Sequence, residues 1–170
     1  MKATGVVRRI DELGRIVIPK ELRKNLRIKE GENLEIYTID EEKIVLKKFS
    51  SIKGIVDLAD YITQSIQNIC RLNTIIYDND SIIAFSGKGK KEYLDKKIGS
   101  TLISFLNEKE LNGEIEIVEN KKENVNIINQ LIRQNGDIVG GILVMSNEKI
   151  DENISQILNS FSIFLEKYLD

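Results

Sequence analysis

The stretch TGVVRRIDELGRIVIPKELRKNL, residues 4–26, determines the fold at the start of this 170-residue chain. Residues 4–10 and 15–18 both have the apolar, β-branched composition that favours a strand. Residues 11–14 separate these two runs and end at Gly14, and glycine readily adopts the positive φ of a tight turn. Pro19, the only proline, stops the second strand and suits the first turn of a helix. The stretch therefore predicts a hairpin followed by a short helix.

Positive charge is concentrated at the same end of the chain. Residues 1–29 carry nine Lys and Arg against three Asp and Glu, a net charge of +6, whereas the whole chain carries −2. Residues 51–170 carry thirteen basic and eighteen acidic side chains, a net charge of −5. A basic segment joined to an acidic body is typical of a protein that binds phosphate through one surface. The candidate side chains for that surface are Arg8, Arg9, Arg15, Lys20, Arg23 and Lys24.

The rest of the first 50 residues predicts a second hairpin. Residues 34–39 and 43–48 are β-type runs, and three acidic residues join them. A unit of this size with a handful of large aliphatic side chains builds a marginal core, and oligomerisation is a common remedy. We therefore expect an obligate homodimer whose two chains share one core.

Residues 51–170 predict an α+β domain. Apolar residues recur every three or four positions from Ile52 to Cys70 and again in the last twenty residues, so a helix is expected at each end, the second capped by Asp151. Short helices are expected within residues 92–109. Between them lie β-type runs that predict a mostly antiparallel sheet: 74–77, 81–85, 114–119, 126–133 and 138–146.

The apolar stripes of the two terminal helices, 52–70 and 150–169, continue almost end to end. Such helices can simply cover one face of the sheet. They can also pack against a second dimer as a helical bundle. We favour the second interpretation, which predicts a homotetramer.

Composition excludes several classes of function. The chain has no histidine, so the usual zinc sites and histidine-activated nucleophiles are absent. One cysteine excludes an intramolecular disulfide framework and suits a reducing cytoplasm. No apolar run is long enough to span a bilayer. We therefore expect a cytoplasmic protein that is not an enzyme, with no catalytic residue, no metal and no cofactor.

The longer motif TGVVRRIDELGRIVIPKELRKNLRIKEGENLEIY, residues 4–37, resembles the signature of the AbrB family of transition-state regulators. With a second domain of this size, the chain is similar to the sporulation regulators of that family, whose C-terminal part is a GAF-type sensory domain. The resemblance implies an interleaved, swapped-hairpin dimer that presents arginines to DNA. The family's DNA-contacting positions fall on Arg8, Arg15, Arg23 and Lys24, with Arg9 as an addition. Lysine at 24 replaces the more usual arginine and keeps the phosphate contact without the planar fork.

The resemblance implies two domains, an AbrB-like DNA-binding domain at 1–50 and a GAF-like regulatory or oligomerisation domain at 51–170. The implied function is a nucleoid-associated transcriptional regulator of forespore and sporulation genes. We expect it to bind double-stranded, A·T-rich DNA largely through shape, because the helix at 20–26 is too short for extensive base readout. Arginines are expected at base edges or in a groove, and Lys2, Lys20 and Lys24 at phosphates. The alternative is the antitoxin of a toxin–antitoxin pair.

A GAF-like domain can hold a small-molecule effector between its sheet and loops. The candidate residues are Ser86, Tyr93 and Arg133. The loop SGKGKK, residues 86–91, lacks the spacing of a P-loop, so a solvated surface loop is the favoured interpretation. The alternative for the whole domain is that it binds no ligand and only oligomerises.

Overall fold

The structure is a computed structural model that describes residues 5–104 and 108–170. The chain divides into two compact units, an N-terminal unit of residues 1–49 and a C-terminal unit of residues 50–170.

The N-terminal unit contains one short helix and one hairpin. Helix α1 spans Lys20–Asn25 and directly follows Pro19, as the sequence predicts. Strands β1 (Leu34–Ile39) and β2 (Lys43–Lys48) pair antiparallel, so the predicted second hairpin is confirmed. The turn at Gly14 is also confirmed, since Gly14 has a φ of +74°.

The prediction of strands at 4–10 and 15–18 is wrong for the single chain. Residues 5–10 and 15–18 have no strand assignment, and residue 4 lies outside the described residues. Within residues 5–19, the backbone hydrogen bonds lie at the turn, where Asp11 N donates to Arg15 O and Gly14 N donates to Asp11 O. A strand requires a ladder of hydrogen bonds to a neighbour, and the composition of a segment does not supply that neighbour.

The N-terminal unit does not bury a core of its own. None of the residues 5–49 is buried, and several large apolar side chains are mostly exposed, among them Val7 at 87% and Val17 at 73%. A monomeric protein rarely exposes so many apolar side chains on so small a unit.

The C-terminal unit is a five-stranded antiparallel sheet with helices on both faces, which confirms the predicted α+β class and the predicted antiparallel sheet with flanking helices. The strands stand in the order β4-β3-β7-β6-β5. A short 3₁₀ turn, Ile52–Ile55, precedes the first long helix. The elements are α2 Val56–Cys70, β3 Asn73–Asp78, β4 Ile82–Ser86, α3 Lys90–Tyr93, α4 Ser100–Ser104, β5 Glu110–Val118, β6 Lys121–Gln134, β7 Asp137–Ser146 and α5 Ile154–Leu169.

Each face of this sheet has its own apolar core. Side chains alternate along a strand, so Ile76 packs with α2 and α5, whereas Ile75 and Tyr77 pack with α3 and α4. The first core takes Ile66 from α2, and the second takes Leu102 from α4. The two cores hold the sheet rigidly between the helices.

Turn chemistry explains the hairpins. Asn135 and Gly136 have φ values of +51° and +88°, the conformation that an Asn-Gly hairpin turn requires, and they join β6 to β7 as predicted. The carboxylate of Asp78 accepts hydrogen bonds from the backbone N–H groups of Asp80 and Ser81, which closes the turn between β3 and β4.

Several element boundaries differ from the sequence-based prediction, including the start of β5 at Glu110 rather than 114. Helix α5 begins at Ile154, because Asp151 organises the turn before the helix by accepting from the backbone N–H of Asn153. Strand β6 is longer than predicted at its start, since its polar first residues pair with β5. The predicted helical segment 92–109 is divided between α3 and α4, and its residues 105–107 lie outside the described part of the chain.

Candidate nucleic-acid interface

The turn between residues 11 and 15 is organised by one carboxylate. Asp11 Oδ1 accepts hydrogen bonds from the backbone N–H groups of Leu13 and Arg15, at 3.0 and 2.8 Å. Asp11 Oδ2 lies 2.8 Å from Arg15 Nε. The backbone and side-chain hydrogen bonds from Arg15 hold the pKa of Asp11 below its usual value. The turn and its arginine therefore form one fixed element.

This contact orients the Arg15 guanidinium without covering it. Its side chain remains 71% exposed, and the contact with Asp11 involves Nε rather than the two terminal nitrogens. Those two nitrogens can still donate to a phosphate or to the acceptor edge of a base.

The other predicted DNA-binding side chains lie on the same unit and differ in exposure. Arg8, Arg9, Lys20 and Lys24 are exposed, as their proposed role requires. Arg23 is half-buried on α1, and its Nε is buried without a hydrogen-bond partner among the described residues. A buried donor with no acceptor is unfavourable, so a phosphate or base acceptor at Arg23 would relieve that cost.

A small polar network joins the segment after α1 to the hairpin. Lys48 Nζ donates to the backbone carbonyl of Arg27 at 2.8 Å and lies 3.7 Å from Glu32 Oε1. The carboxylate of Glu32 also accepts from the backbone N–H of Lys29 at 2.7 Å. These contacts hold the chain after α1 against β2. The sequence reasoning missed them, because only the pairing of β1 with β2 brings Lys48 beside residues 27–32.

The unit as a whole presents cations and apolar side chains together. Positive charge can neutralise phosphate, and the exposed valine and isoleucine side chains can pack against another protein surface. The described residues contain no cluster of acidic, histidine and cysteine side chains able to hold a metal.

The structure does not bring the three predicted effector residues to one site. Ser86 ends β4 and shares a row of the sheet with Ile128, whereas Arg133 stands five positions further along β6. Five strand residues span about 16 Å. Arg133 instead donates to the backbone carbonyl of Gly136 at 3.2 Å.

Tyr93 is buried beneath polar partners. Its ring stacks on Phe85 with centroids 4.9 Å apart, and its hydroxyl donates to the carboxylate of Glu123 at 2.8 Å. Lys121 Nζ lies over the ring, 4.5 Å from its centroid. Burial, aided by the Glu123 carboxylate, raises the pKa of Tyr93 to about 12. These contacts hold α3 against the sheet.

Two protein families match the chain, one for each unit. The family described as "Stage V sporulation protein T C-terminal, transcription factor" matches residues 54–170. The family described as "Antidote-toxin recognition MazE, bacterial antitoxin" matches residues 7–53.

Two relatives from Bacillus subtilis (strain 168) are similar to the chain over different lengths. Stage V sporulation protein T is 36% identical over 160 residues, which cover 88% of this chain and 87% of that protein. Transition state regulatory protein AbrB is 63% identical over 49 residues, which cover 29% of this chain and 50% of that protein.

A solved structure shares the fold of the C-terminal unit. The type II free methionine-R-sulfoxide reductase from Thermoplasma acidophilum is 12% identical and has a TM-score of 0.50, with 69% of this chain and 94% of that chain covered. At this identity the likeness concerns the fold alone.

The fold and the matches together define a two-unit transcription factor with an AbrB-type N-terminal unit. The chain belongs to the stage V sporulation protein T family. None of the helices in residues 5–104 and 108–170 is long and apolar enough to cross a membrane.

Proposed function

We propose that this chain is a DNA-binding transcriptional regulator of sporulation that acts in the cytoplasm, on the nucleoid, and controls forespore genes. The observation that carries the proposal is the net charge of +6 on residues 1–29, in the unit that is 63% identical to part of AbrB. Family membership with stage V sporulation protein T supports the connection with sporulation. A regulator of this kind acts by binding, so the proposal includes that the chain is not an enzyme.

The DNA-binding residues of this proposal divide into two groups. Arginine offers a planar fork that can bind a base edge or enter a groove, so Arg8, Arg15 and Arg23 read the DNA. Lysine is a compact charge that suits phosphate contacts, so Lys20 and Lys24 anchor the backbone, and Arg9 adds to them. A short helix supports limited base readout, which favours A·T-rich tracts of suitable shape.

The dimer completes the N-terminal unit. Residues 5–49 bury no side chain in the single chain, although valine and isoleucine side chains are abundant there. Pairing of residues 5–10 and 15–18 with the same segments of a second chain would supply the inter-strand hydrogen bonds that a strand requires. It would also cover the exposed valine and isoleucine side chains. Two copies would also double the number of cations that face one duplex.

The tetramer is proposed to form through the helices of the C-terminal unit. Tyr61 and Ile69 on α2, and Phe164 and Tyr168 on α5, are large apolar side chains that remain exposed. The rings of Phe164 and Tyr168 lie 6.3 Å apart and form one aromatic patch. Packing of such patches between two dimers would place two DNA-binding units on one particle and raise affinity through effective concentration.

Fluorescence anisotropy across a salt series tests DNA binding. The variant Arg15→Ala/Arg23→Ala removes two cations from each chain, and therefore four from a dimer. Each neutralised phosphate contributes about 0.9 to the slope of log K against log salt. An arginine that enters a groove also neutralises the phosphates on either side of it, so we expect the slope to flatten by up to roughly 3 to 4. The probe is an A·T-rich duplex, and a G·C-rich duplex of equal length gives the sequence preference.

The variant Lys43→Ala/Lys47→Ala is the matched control, because it removes the same charge from exposed positions of β2. We expect its slope to stay close to that of the natural sequence. Equal slopes for the two double variants would contradict the assignment of Arg15 and Arg23. Absence of binding at low salt by a folded dimer would refute DNA binding altogether.

Sedimentation of three variants tests both interfaces. Val17→Asp disrupts the proposed N-terminal interface, and Phe164→Asp disrupts the proposed helical interface. We expect each single variant to sediment as a dimer and the double variant as a monomer, with DNA binding retained only by Phe164→Asp. A tetramer that survives both substitutions would overturn the assembly.

The antitoxin alternative has one observation in its favour, the match of residues 7–53 to an antitoxin family. That match covers the N-terminal unit, whereas residues 54–170 match a transcription-factor family and form a folded unit. Copurification of the expressed chain with a small toxic partner encoded beside it would support the antitoxin role.

A further inference from the structure

A concave site lies at one end of the C-terminal sheet. It has a volume of about 660 Å³ and is formed where α2 ends, β3 begins, and β4 and β7 end. Small-molecule sites in proteins commonly have volumes of roughly 300 to 1,000 Å³. Its polar lining side chains are Gln67, Arg71, Asn73, Lys88, Ser146 and Asn147.

The charge of this site is opposite to that of the unit around it. Arg71 and Lys88 line it, and its lining contains no Asp or Glu, whereas residues 51–170 carry a net charge of −5. Among the residues that the structure describes, neither cation has an ion-pair partner. Two unneutralised cations in one concavity favour an anion.

The position of Lys88 is fixed by the fold. The carboxamide of Asn73 accepts from the backbone N–H of Lys88 at 2.9 Å and donates to its carbonyl at 3.3 Å. Gly87 has a φ of +131°, and a Cβ there would lie 2.2 Å from Asn73 Oδ1. Only glycine fits at 87 while Asn73 holds the loop, so these two residues together fix the backbone position of Lys88 at the site.

Arg71 is fixed in a similar way on the other side. It ends α2 in the left-handed conformation, with a φ of +60°, and its backbone N–H donates to the carbonyl of Gln67 at 2.8 Å. This helix end fixes the backbone from which the Arg71 side chain projects.

We propose that this site binds the phosphate monoester of a small polar metabolite. A phosphate monoester carries a charge of about −1.5 to −2 at neutral pH, which the two cations balance. The Arg71 guanidinium can bind two phosphate oxygens at once, and Lys88 adds a point charge. The Gln67 and Asn147 amides and the Ser146 hydroxyl then face the uncharged part of the ligand. This proposal does not depend on DNA binding.

Isothermal titration of the full chain tests the proposal with ribose 5-phosphate, inorganic phosphate and ribose at constant ionic strength. We expect binding of ribose 5-phosphate and none of ribose. Weaker binding of inorganic phosphate would assign the affinity partly to the sugar, whereas equal binding would assign it to the phosphate alone. Both of these results support the site.

The variant Arg71→Asn/Lys88→Gln removes both cations, and asparagine tolerates the left-handed conformation at 71. We expect binding of ribose 5-phosphate to weaken roughly tenfold or more. The control Lys96→Gln/Lys167→Gln removes the same charge from exposed positions of the same unit and should bind as the natural sequence does.

A second variant, Gly87→Ala, keeps both charges and displaces the Lys88 loop. We expect it also to weaken binding while far-UV circular dichroism remains unchanged. Undiminished binding in Arg71→Asn/Lys88→Gln would show that the phosphate binds elsewhere, as on the basic N-terminal unit, and would overturn the proposal. Equal binding of ribose, or no binding of any probe at millimolar concentration, would overturn it as well.

Discussion

Replacement of Tyr77 by phenylalanine will destabilise the C-terminal unit, because it removes a buried hydrogen-bond donor. Tyr77 is fully buried, and its hydroxyl donates to Asn129 Oδ1 at 2.8 Å. Asn129 is itself 2% exposed, so water cannot replace the lost donor. Phenylalanine preserves the ring and its packing. The cost is therefore that of removing the donor from one buried hydrogen bond, about 1 to 3 kcal/mol.

The same substitution at Tyr93 is the matched control. The Tyr93 hydroxyl also donates at 2.8 Å, but its acceptor, Glu123, lies 3.1 Å from Lys121 Nζ. Lys121 continues to neutralise that carboxylate after the hydroxyl is removed. We expect Tyr93→Phe to cost less than about 1 kcal/mol.

Urea unfolding at pH 7, followed by far-UV circular dichroism, measures both effects. All samples are compared at one protomer concentration, since association makes the midpoint depend on concentration. With a denaturant slope of about 2 kcal/mol/M, the midpoint of Tyr77→Phe should fall by roughly 0.5 to 1.5 M. Equal midpoints for the natural sequence and Tyr77→Phe, or a larger shift for Tyr93→Phe, would refute the reasoning.

Two further predictions concern the same sheet. Gly140→Ala should lower the free energy of unfolding in urea by about 3 kcal/mol or more, because the added Cβ would lie 2.1 Å from the backbone oxygen of Tyr77. The control Gly54→Ala, whose Cβ would meet no atom within 4 Å, should change the free energy of unfolding little. Burial and Glu123 raise the pKa of Tyr93 to about 12, against about 10 in the unfolded chain. The protonated Tyr93 hydroxyl therefore contributes its full stabilisation below pH 10, and this stabilisation is lost as the pH rises towards 12. The stability difference between the natural sequence and Tyr93→Phe should therefore fall by about 1 kcal/mol between pH 9 and pH 11, after allowance for solvent screening, and a constant difference would contradict the assigned cause.

Local chemistry made the hairpins of the C-terminal unit predictable. Asn135 and Gly136 favour a turn in any context, and the alternation of apolar and polar residues predicts the strands on either side of them. Asp78 closes its turn through its own carboxylate, a contact that spans three residues. Features that depend on near neighbours in sequence can be read from the sequence.

Pairing with distant or separate segments could not be predicted in the same way. Residues 5–10 and 15–18 have strand composition, but a strand exists only with a hydrogen-bonded neighbour, and composition does not identify one. The effector candidates failed to meet for a related reason. Ser86 and Arg133 both lie near strand ends, and only the register of the paired strands shows that these are opposite ends of the sheet.

The phosphate site illustrates the same limit. The glycines and lysines at 86–91 form a recognisable pattern in the sequence, whereas no sequence pattern distinguishes Arg71. Arg71 and Lys88 line one concavity because β3 pairs with β4 and with β7 at the same time. Ser146 and Asn147 reach the site only through the second of those pairings.

The pairing of β3 with β7 also determines how the C-terminal unit folds. The β3–β4, β5–β6 and β6–β7 pairs are hairpins or close neighbours in sequence, whereas β3 and β7 join residues more than 60 positions apart, from Asp78 with Gly140 to Asn73 with Met145. Local hairpins can form within microseconds, but closing this long loop carries a larger entropic cost before any contact compensates it. We therefore expect the β3–β4 hairpin to pair with β7 after the β5–β6–β7 meander has formed. Gly140 and Gly141 lie on β7 at the seam where these two halves of the domain join, and a Cβ there would lie 2.1 Å from the backbone oxygen of Tyr77 and 2.4 Å from its hydroxyl, respectively.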